Sequence, residues 1–159
     1  MIVTVSTPEE MGELGAAIAR QLRAGDLIAL DGELGAGKTT FTRGLGEQLQ
    51  VRGAVTSPTF VLARTHPRQD GPPLVHVDAY RLGSPAELDD LDIDFEGSIV
   101  VVEWAAGMLD GVTDSWLGLQ ITRPRGAAAD DSSDGDEGVE PRIVEITPHG
   151  DRWRTFKLS

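Results

Sequence analysis

Hydrophobic and polar residues follow one another along the first third of the chain in a pattern that predicts alternating strands and helices. Residues 2–5 alternate as in a strand, and residues 27–31 form a short apolar run. Between them Thr7-Pro8-Glu9-Glu10 has the composition of a capping box with proline at the first helical position. We therefore predict a helix from Pro8 to about Leu22. A second helix is predicted over 38–50, where apolar residues recur at helical spacing.

The rest of the chain predicts mostly strands. Residues 59–66 and 74–80 are β-rich and are separated by a Pro/Gly turn, which predicts an antiparallel hairpin. Ser84-Pro85 predicts the start of a short helix by the same capping logic. The most apolar run, 98–104, is typical of a central parallel strand. Three further strands, expected to form an antiparallel edge, are predicted at 115–123, 141–147 and 152–158.

The segment between the strand at 27–31 and the helix at 38–50 carries the strongest chemical signal. It reads GELGAGKTT and matches the phosphate-loop (P-loop) pattern G-x-x-x-x-G-K-[ST] without a mismatch. Glycines let successive backbone N–H groups converge on an anion, and a helix N-terminus adds the positive end of its dipole. Lys38 would reach the β- and γ-phosphates, and the Thr39 hydroxyl would bind Mg²⁺. The predicted nucleotide-binding residues are Gly35, Ala36, Gly37, Lys38, Thr39 and Thr40.

These patterns together predict the fold class α/β. We expect a P-loop NTPase-like sheet with parallel core strands and an antiparallel extension. A chain of 159 residues suits one domain spanning 1–159 with one core. Residues 126–140 are rich in Asp, Gly and Ser and low in apolar content, so we expect a flexible acidic loop at the tip of a hairpin.

Acidic residues end two of the predicted strands. A P-loop enzyme needs a carboxylate on a neighbouring strand to hold Mg²⁺ or to orient the attacking water. Glu103 ends the VVVE run and Asp78 ends LVHVD, and strand ends of this kind meet at the ligand-binding edge of an α/β sheet. Their alternative role is that of a turn or cap. We take Glu103, Asp78 and Lys38 as the candidate catalytic residues, with Thr39 and Glu103 as metal ligands.

Three neighbouring features have weaker signals. The segment Thr56–Thr59 is consistent with either a γ-phosphate sensor or an ordinary proline turn. Trp104, beside Glu103, is expected in the core or at an interface. His76 lacks the spacing of a metal ligand and is expected to be packed or on the surface.

Composition and charge narrow the class of protein. The chain has no cysteine, which excludes a disulfide framework and a thiolate zinc site. Its first residues lack the features of a signal peptide and no run reaches the apolar length of a membrane span, so we expect a cytoplasmic protein. The net charge of −12 argues against autonomous binding of nucleic acid, because such a surface repels the phosphate backbone.

The same composition separates several kinds of P-loop protein. The chain contains no asparagine, so it cannot read guanine through an Asn-Lys-x-Asp segment. A small-molecule kinase needs a basic lid and an arginine-lined acceptor pocket, whereas the one candidate lid, 126–140, is acidic. That kinase and a nucleotide-gated binding module without turnover remain as alternatives to an ATPase.

Four motifs in order, GELGAGKTTFTRGL, TSPTF, HVDAYRL and VVEW, carry a resemblance to a known family. Over about residues 7–123 the chain resembles the TsaE (YjeE) family, a small P-loop ATPase of bacterial tRNA threonylcarbamoyladenosine biosynthesis. The resemblance implies ATP binding with Mg²⁺ and slow hydrolysis, stimulated in a complex with the TsaB and TsaD proteins. It also implies that tRNA is met only indirectly, through that complex.

The resemblance also assigns roles to individual residues. It implies phosphate and Mg²⁺ contacts for Lys38, Thr39 and Thr40, and a switch-like role for Thr56–Thr59. It makes Glu103 a Mg²⁺ ligand and catalytic carboxylate, and Asp78 an active-site carboxylate. The chain departs from many relatives in having Ala105-Ala106-Gly107 after Glu-Trp and in its acidic insert.

Overall fold

A computed structural model describes residues 1–55, 62–123 and 141–158. The predicted switch-like segment Thr56–Thr59 and the predicted acidic loop 126–140 lie outside those residues. The strands are β1 Ile2–Val5, β2 Leu27–Gly32, β3 Ala63–His66, β4 Leu74–Asp78, β5 Ile99–Glu103, β6 Trp116–Thr122 and β7 Arg142–His149. The helices are α1 Pro8–Ala19, α2 Lys38–Leu49, α3 Pro85–Asp89 and a 3₁₀ helix at Asp151–Trp153.

The described strands form one sheet of seven in the order β1-β7-β6-β2-β5-β4-β3. The four strands β6, β2, β5 and β4 run parallel to one another and make the core of the sheet. β7 and β1 extend it by antiparallel pairing on one side, and β3 does so on the other. The predicted α/β class with parallel core strands and an antiparallel extension is confirmed.

The last part of the chain differs from the prediction in two respects. β6, expected in the antiparallel edge, pairs in parallel with β2 and meets β7 in antiparallel register. Its alternating Leu117, Leu119 and Ile121 are buried, so it belongs to the core of the sheet. The strand predicted at 152–158 is wrong. Trp153 and Phe156, three residues apart, pack edge to face at 5.8 Å, and this spacing suits a helical turn better than a strand.

The remaining predicted elements are found with shifted ends. α1 stops at Ala19, and the chain continues as a turn through Leu22. The hairpin is present as β3 and β4, paired antiparallel. α3 begins at Pro85, but the Ser84 side chain makes no cap bond, and the Glu87 carboxylate instead accepts the Gly83 N–H at 3.0 Å.

Two apolar clusters, one on each face of the sheet, hold the sheet against the helices and segments that cover it. α1 and α2 cover one face, where Ile18, Phe41 and Leu45 are fully buried. α3 and the segment after β5 cover part of the other, around Leu88 and Val102. The carboxyl ends of the parallel strands are consequently held together at one edge, beside the start of α2. Among the described helices none has the length and apolar content needed to cross a membrane.

Candidate functional site

A cleft of about 510 Å³ opens at the carboxyl ends of β2, β4 and β5. Every residue predicted for the site lines it except Ala36, whose side chain is fully buried. The structure therefore brings together residues from three separate parts of the sequence. The lining residues are Leu34, Gly35, Gly37, Lys38, Thr39, Thr40, Asp78, Tyr80, Glu103 and Trp104.

The P-loop between β2 and α2 contains glycines with positive φ and leads into a helix without a side-chain cap. Gly35 and Gly37 have φ values of +81° and +115°, in the region that favours glycine. α2 begins with Gly37 as its N-cap, which makes no side-chain hydrogen bond to the helix, and no acidic residue occupies the first turn. The first amide N–H groups of α2 are therefore free of a side-chain cap and suit an anion.

The Lys38 ammonium is hydrogen-bonded to carbonyl oxygens at the start of the P-loop. Its Nζ donates to the Gly32 carbonyl oxygen and, at 3.2 Å, to that of Glu33. The same atom lies 4.3 Å from the centroid of the Trp104 ring, a cation–π contact. Burial lowers the pKa of Lys38, and the nearby carboxylates, led by Glu103, act in the opposite direction.

The two predicted carboxylates lie side by side. Asp78 and Glu103 are paired residues at the ends of β4 and β5, with only 7% and 4% of their surfaces exposed. Asp78 Oδ1 accepts the backbone N–H of Tyr80 at 2.9 Å. Both carboxylates favour the charged form of Lys38. All three side chains line the same cleft.

The sequence did not indicate that two further residues, His76 and Trp104, lie beside Asp78 and Glu103 in the site. His76, expected to be packed or on the surface, is fully buried, and its Nε2 lies 2.6 Å from Oε2 of Glu103. The spacing of two between His76 and Asp78 was the available signal, since it puts both on one face of β4. Trp104, expected in the core or at an interface, lines the cleft with a left-handed φ of 60° and packs edge to face on Tyr80 at 5.0 Å.

A third missed residue supports the P-loop from β7. Arg142 Nε donates to the Ala36 carbonyl oxygen at 3.0 Å, and its Nη2 donates to that of Gly35 at 3.2 Å. These carbonyls belong to the same peptide stretch whose amides would face a phosphate. Arg142 follows the acidic segment and lies far from the P-loop in sequence, so no local pattern pointed to it.

The residues of the cleft fit a nucleotide with Mg²⁺. Open amides and an ammonium suit phosphates, while the Thr39 hydroxyl and the Glu103 carboxylate are oxygen donors of the type that Mg²⁺ prefers. In the described ranges no group of three or more His, Asp or Glu side chains forms a ready-made metal cage.

Known proteins of one family resemble this chain in sequence and in fold. Residues 5–129 match the family described as threonylcarbamoyl adenosine biosynthesis protein TsaE. The tRNA threonylcarbamoyladenosine biosynthesis protein TsaE of Streptomyces coelicolor is 56% identical, over 94% of this chain and 97% of its own. Its Bacillus subtilis counterpart is 37% identical, over 92% and 84%. The crystal structure of Bacillus subtilis YdiB superposes with a TM-score of 0.72 at 28% identity, covering 96% of this chain and 88% of that one. The chain belongs to the TsaE family.

Proposed function

We propose that this protein binds ATP with Mg²⁺ in the cleft and hydrolyses it to ADP and phosphate. In this proposal it is the ATPase subunit of the machinery that makes threonylcarbamoyladenosine in tRNA, and its turnover drives or resets that machinery. The relatives named above are tRNA threonylcarbamoyladenosine biosynthesis proteins. The observation that carries the chemistry is the convergence of the uncapped start of α2, the Lys38 ammonium and two buried carboxylates on one cleft.

Each side chain has a defined task in the proposal. Lys38 binds the β- and γ-phosphates and neutralises charge that builds up on them during transfer. Thr39 and Glu103 would hold Mg²⁺, which would supply positive charge to offset the negative charge of the phosphates. Asp78 and Glu103 orient the attacking water. Thr40 contacts a phosphate nearer the nucleoside, and the backbone of Gly35, Ala36 and Gly37 supplies amides.

The partners in the proposal are TsaB and TsaD, with tRNA reached only through them. The rim of the cleft supports a partner that completes the site, because Leu34 and Tyr80 expose 80% and 69% of their surfaces there. The net charge of −12 is consistent with leaving tRNA to other proteins. Turnover by the isolated chain should accordingly be slow. We place the protein in the cytoplasm, since bacterial tRNA is modified there.

The two alternative functions find less support. A kinase needs arginines around the transferring phosphoryl group, whereas Lys38 is the single basic side chain among the described residues that line the cleft. A binding module without turnover would need no carboxylate facing the γ-phosphate. Hydrolysis itself separates this module from an ATPase.

The experiment that tests the function is a Glu103→Gln variant assayed alone and with TsaB and TsaD. Glutamine keeps the size of the side chain but removes its charge. We expect ATP affinity within a few-fold of wild type and hydrolysis reduced by about 100-fold or more. Glu145→Gln, an exposed change on β7, is the matched control and should behave as wild type. Undiminished hydrolysis by Glu103→Gln would contradict the catalytic assignment, and no hydrolysis by the wild type with its partners would favour a binding module.

A further inference from the structure

His76 and Glu103 form a buried side-chain pair across two neighbouring strands. β4 and β5 are parallel, with Asp78 opposite Glu103, and His76 lies on the same face of β4 two residues earlier. The distance from His76 Nε2 to Glu103 Oε2 is 2.6 Å, and the two side chains are 0% and 5% exposed. The contact is therefore a short hydrogen bond shielded from water.

The imidazole of His76 has one polar contact among the described residues. Its other ring nitrogen, Nδ1, is buried without a hydrogen-bond partner there. Burying a polar ring costs free energy, and an apolar side chain would fill this position on β4 at lower cost. Packing alone thus gives no reason for a histidine, whereas the contact with Glu103 does.

The hydrogen bond also restricts the orientation of the Glu103 carboxylate, the group that would contact a ligand. A glutamate side chain has three rotatable torsions, and its carboxylate must take one orientation to serve a metal ion. The carboxylate has no proton to give when ionised, so Nε2 carries the proton and donates it to Oε2. Oε1 then keeps both of its lone pairs, and Oε2 one, for a ligand in the cleft, of which Glu103 is a lining residue.

We propose that His76 is a positioning residue for Glu103, holding its carboxylate by the Nε2–H···Oε2 hydrogen bond in the orientation that binds Mg²⁺ and supports hydrolysis. This inference rests on the proposed function of Glu103. His76 itself touches neither nucleotide nor metal. Its contribution is to the orientation of the carboxylate, as for other hydrogen-bond partners of metal ligands.

Two substitutions of His76 separate this role from simple packing. Glutamine places its amide nitrogen near the position of Nε2 and can still donate to Glu103, whereas asparagine places it near Nδ1 and cannot reach. With TsaB and TsaD present, we expect His76→Asn to lower kcat by about 10- to 100-fold and His76→Gln to keep it within about threefold. ATP affinity measured without a divalent ion should be unchanged in both.

A second readout does not depend on activity. Mn²⁺ replaces Mg²⁺ in such sites and is detected by its paramagnetic signal, so its affinity for the complex of protein and ADP can be measured directly. His76→Asn should weaken Mn²⁺ binding by about 10- to 100-fold, and His76→Gln should restore it. Equal loss of thermal stability in both variants with unchanged kcat and Mn²⁺ affinity would show a structural role only and overturn the proposal.

Two further measurements keep the proposal falsifiable if the asparagine variant does not fold. Nitrogen-15 NMR of the wild-type imidazoles should find the His76 proton on Nε2, and a proton on Nδ1 alone would refute the hydrogen bond. The Glu103→Gln variant separates the two levels of inference. Full hydrolysis by Glu103→Gln would remove the proposed function, whereas loss of hydrolysis there with wild-type turnover in His76→Asn would remove the positioning role alone.

Discussion

The N-termini of α1 and α2 both present backbone N–H groups that have no partner within the helix, but they differ in whether a side chain accepts hydrogen bonds from those groups. At α1 the Thr7 side chain accepts the Glu10 N–H at 3.1 Å, and two glutamates occupy the first turn. At α2 the N-cap is Gly37, there is no side-chain cap, and the first turn has no acidic residue. One helix start is completed by its own side chains, and the other is left incomplete.

The difference shows how a stable fold can retain an open anion site. The first N–H groups of any helix lack partners within the helix, and a cap usually satisfies some of them. α2 lacks that side-chain cap, and charged side chains instead hold the carbonyl oxygens of the preceding loop. Lys38 donates to the loop carbonyls from one side, and Arg142 does so from the other. The loop is thus held mainly through its carbonyls, and one of its amides, the Ala36 N–H, donates to the Glu33 carbonyl oxygen at 3.0 Å.

The largest expected effect comes from removing the charge at the open helix start. Lys38→Ala should reduce ATP affinity by at least about 100-fold, because a phosphate would lose its charge-assisted contact with the ammonium. Thermal stability should change little, since the lost hydrogen bonds are offset by relief of a buried charge. Isothermal titration with a non-hydrolysable ATP analogue measures the affinity.

Lys157 provides the control for that variant, because it is the other of the two lysines in the chain and is exposed. Lys157→Ala should bind the analogue as wild type does. Affinity of Lys38→Ala within a few-fold of wild type would show that the start of α2 does not hold the phosphates.

A smaller effect is expected from loosening the support of the P-loop. Arg142→Ala should weaken ATP binding by roughly tenfold, because the carbonyls of Gly35 and Ala36 lose two charged donors and the loop amides become less well ordered. Arg142→Lys keeps the charge but cannot span both carbonyls, so we expect an intermediate affinity. The same titration reports both.

Arg154→Ala is the matched control, since the Arg154 side chain is largely exposed and pairs with Asp151 at the surface. It should leave the affinity unchanged. Wild-type affinity in Arg142→Ala would mean that the loop keeps its shape without the contact from β7.

The contrast between the two helix starts also shows what the sequence can predict. Both starts are local patterns, a capping box and a glycine loop, because the residues that decide each are within a few positions of one another. Glu103 and Asp78 were within reach as well, since a carboxylate that ends an apolar strand must lie at the carboxyl edge of a parallel sheet.

The contacts that the sequence did not reveal are all non-local. Arg142 on β7 contacts the P-loop, and His76 on β4 contacts Glu103 on the neighbouring strand β5. The spacing of two between His76 and Asp78 places both on one face of β4, but the partner of His76, like that of Arg142, follows only from strand order and register. The position of Trp104 in the cleft was not predicted, for a related reason. Its left-handed φ turns the chain after β5 and leaves the ring over Lys38, and no composition rule predicts such a conformation for tryptophan.

The smallest expected effect is at the closed helix start and concerns stability alone. Thr7→Ala removes the hydroxyl that accepts the Glu10 N–H and should lower the free energy of unfolding by about 1 kcal/mol. Glu10 limits the loss, because its carboxylate still accepts the Ser6 N–H at 2.7 Å. Urea unfolding measures this change, which Thr7→Ser should largely restore. ATP affinity should stay within twofold of wild type in both variants, and a marked loss of affinity in Thr7→Ala would mean that the two helix starts are coupled.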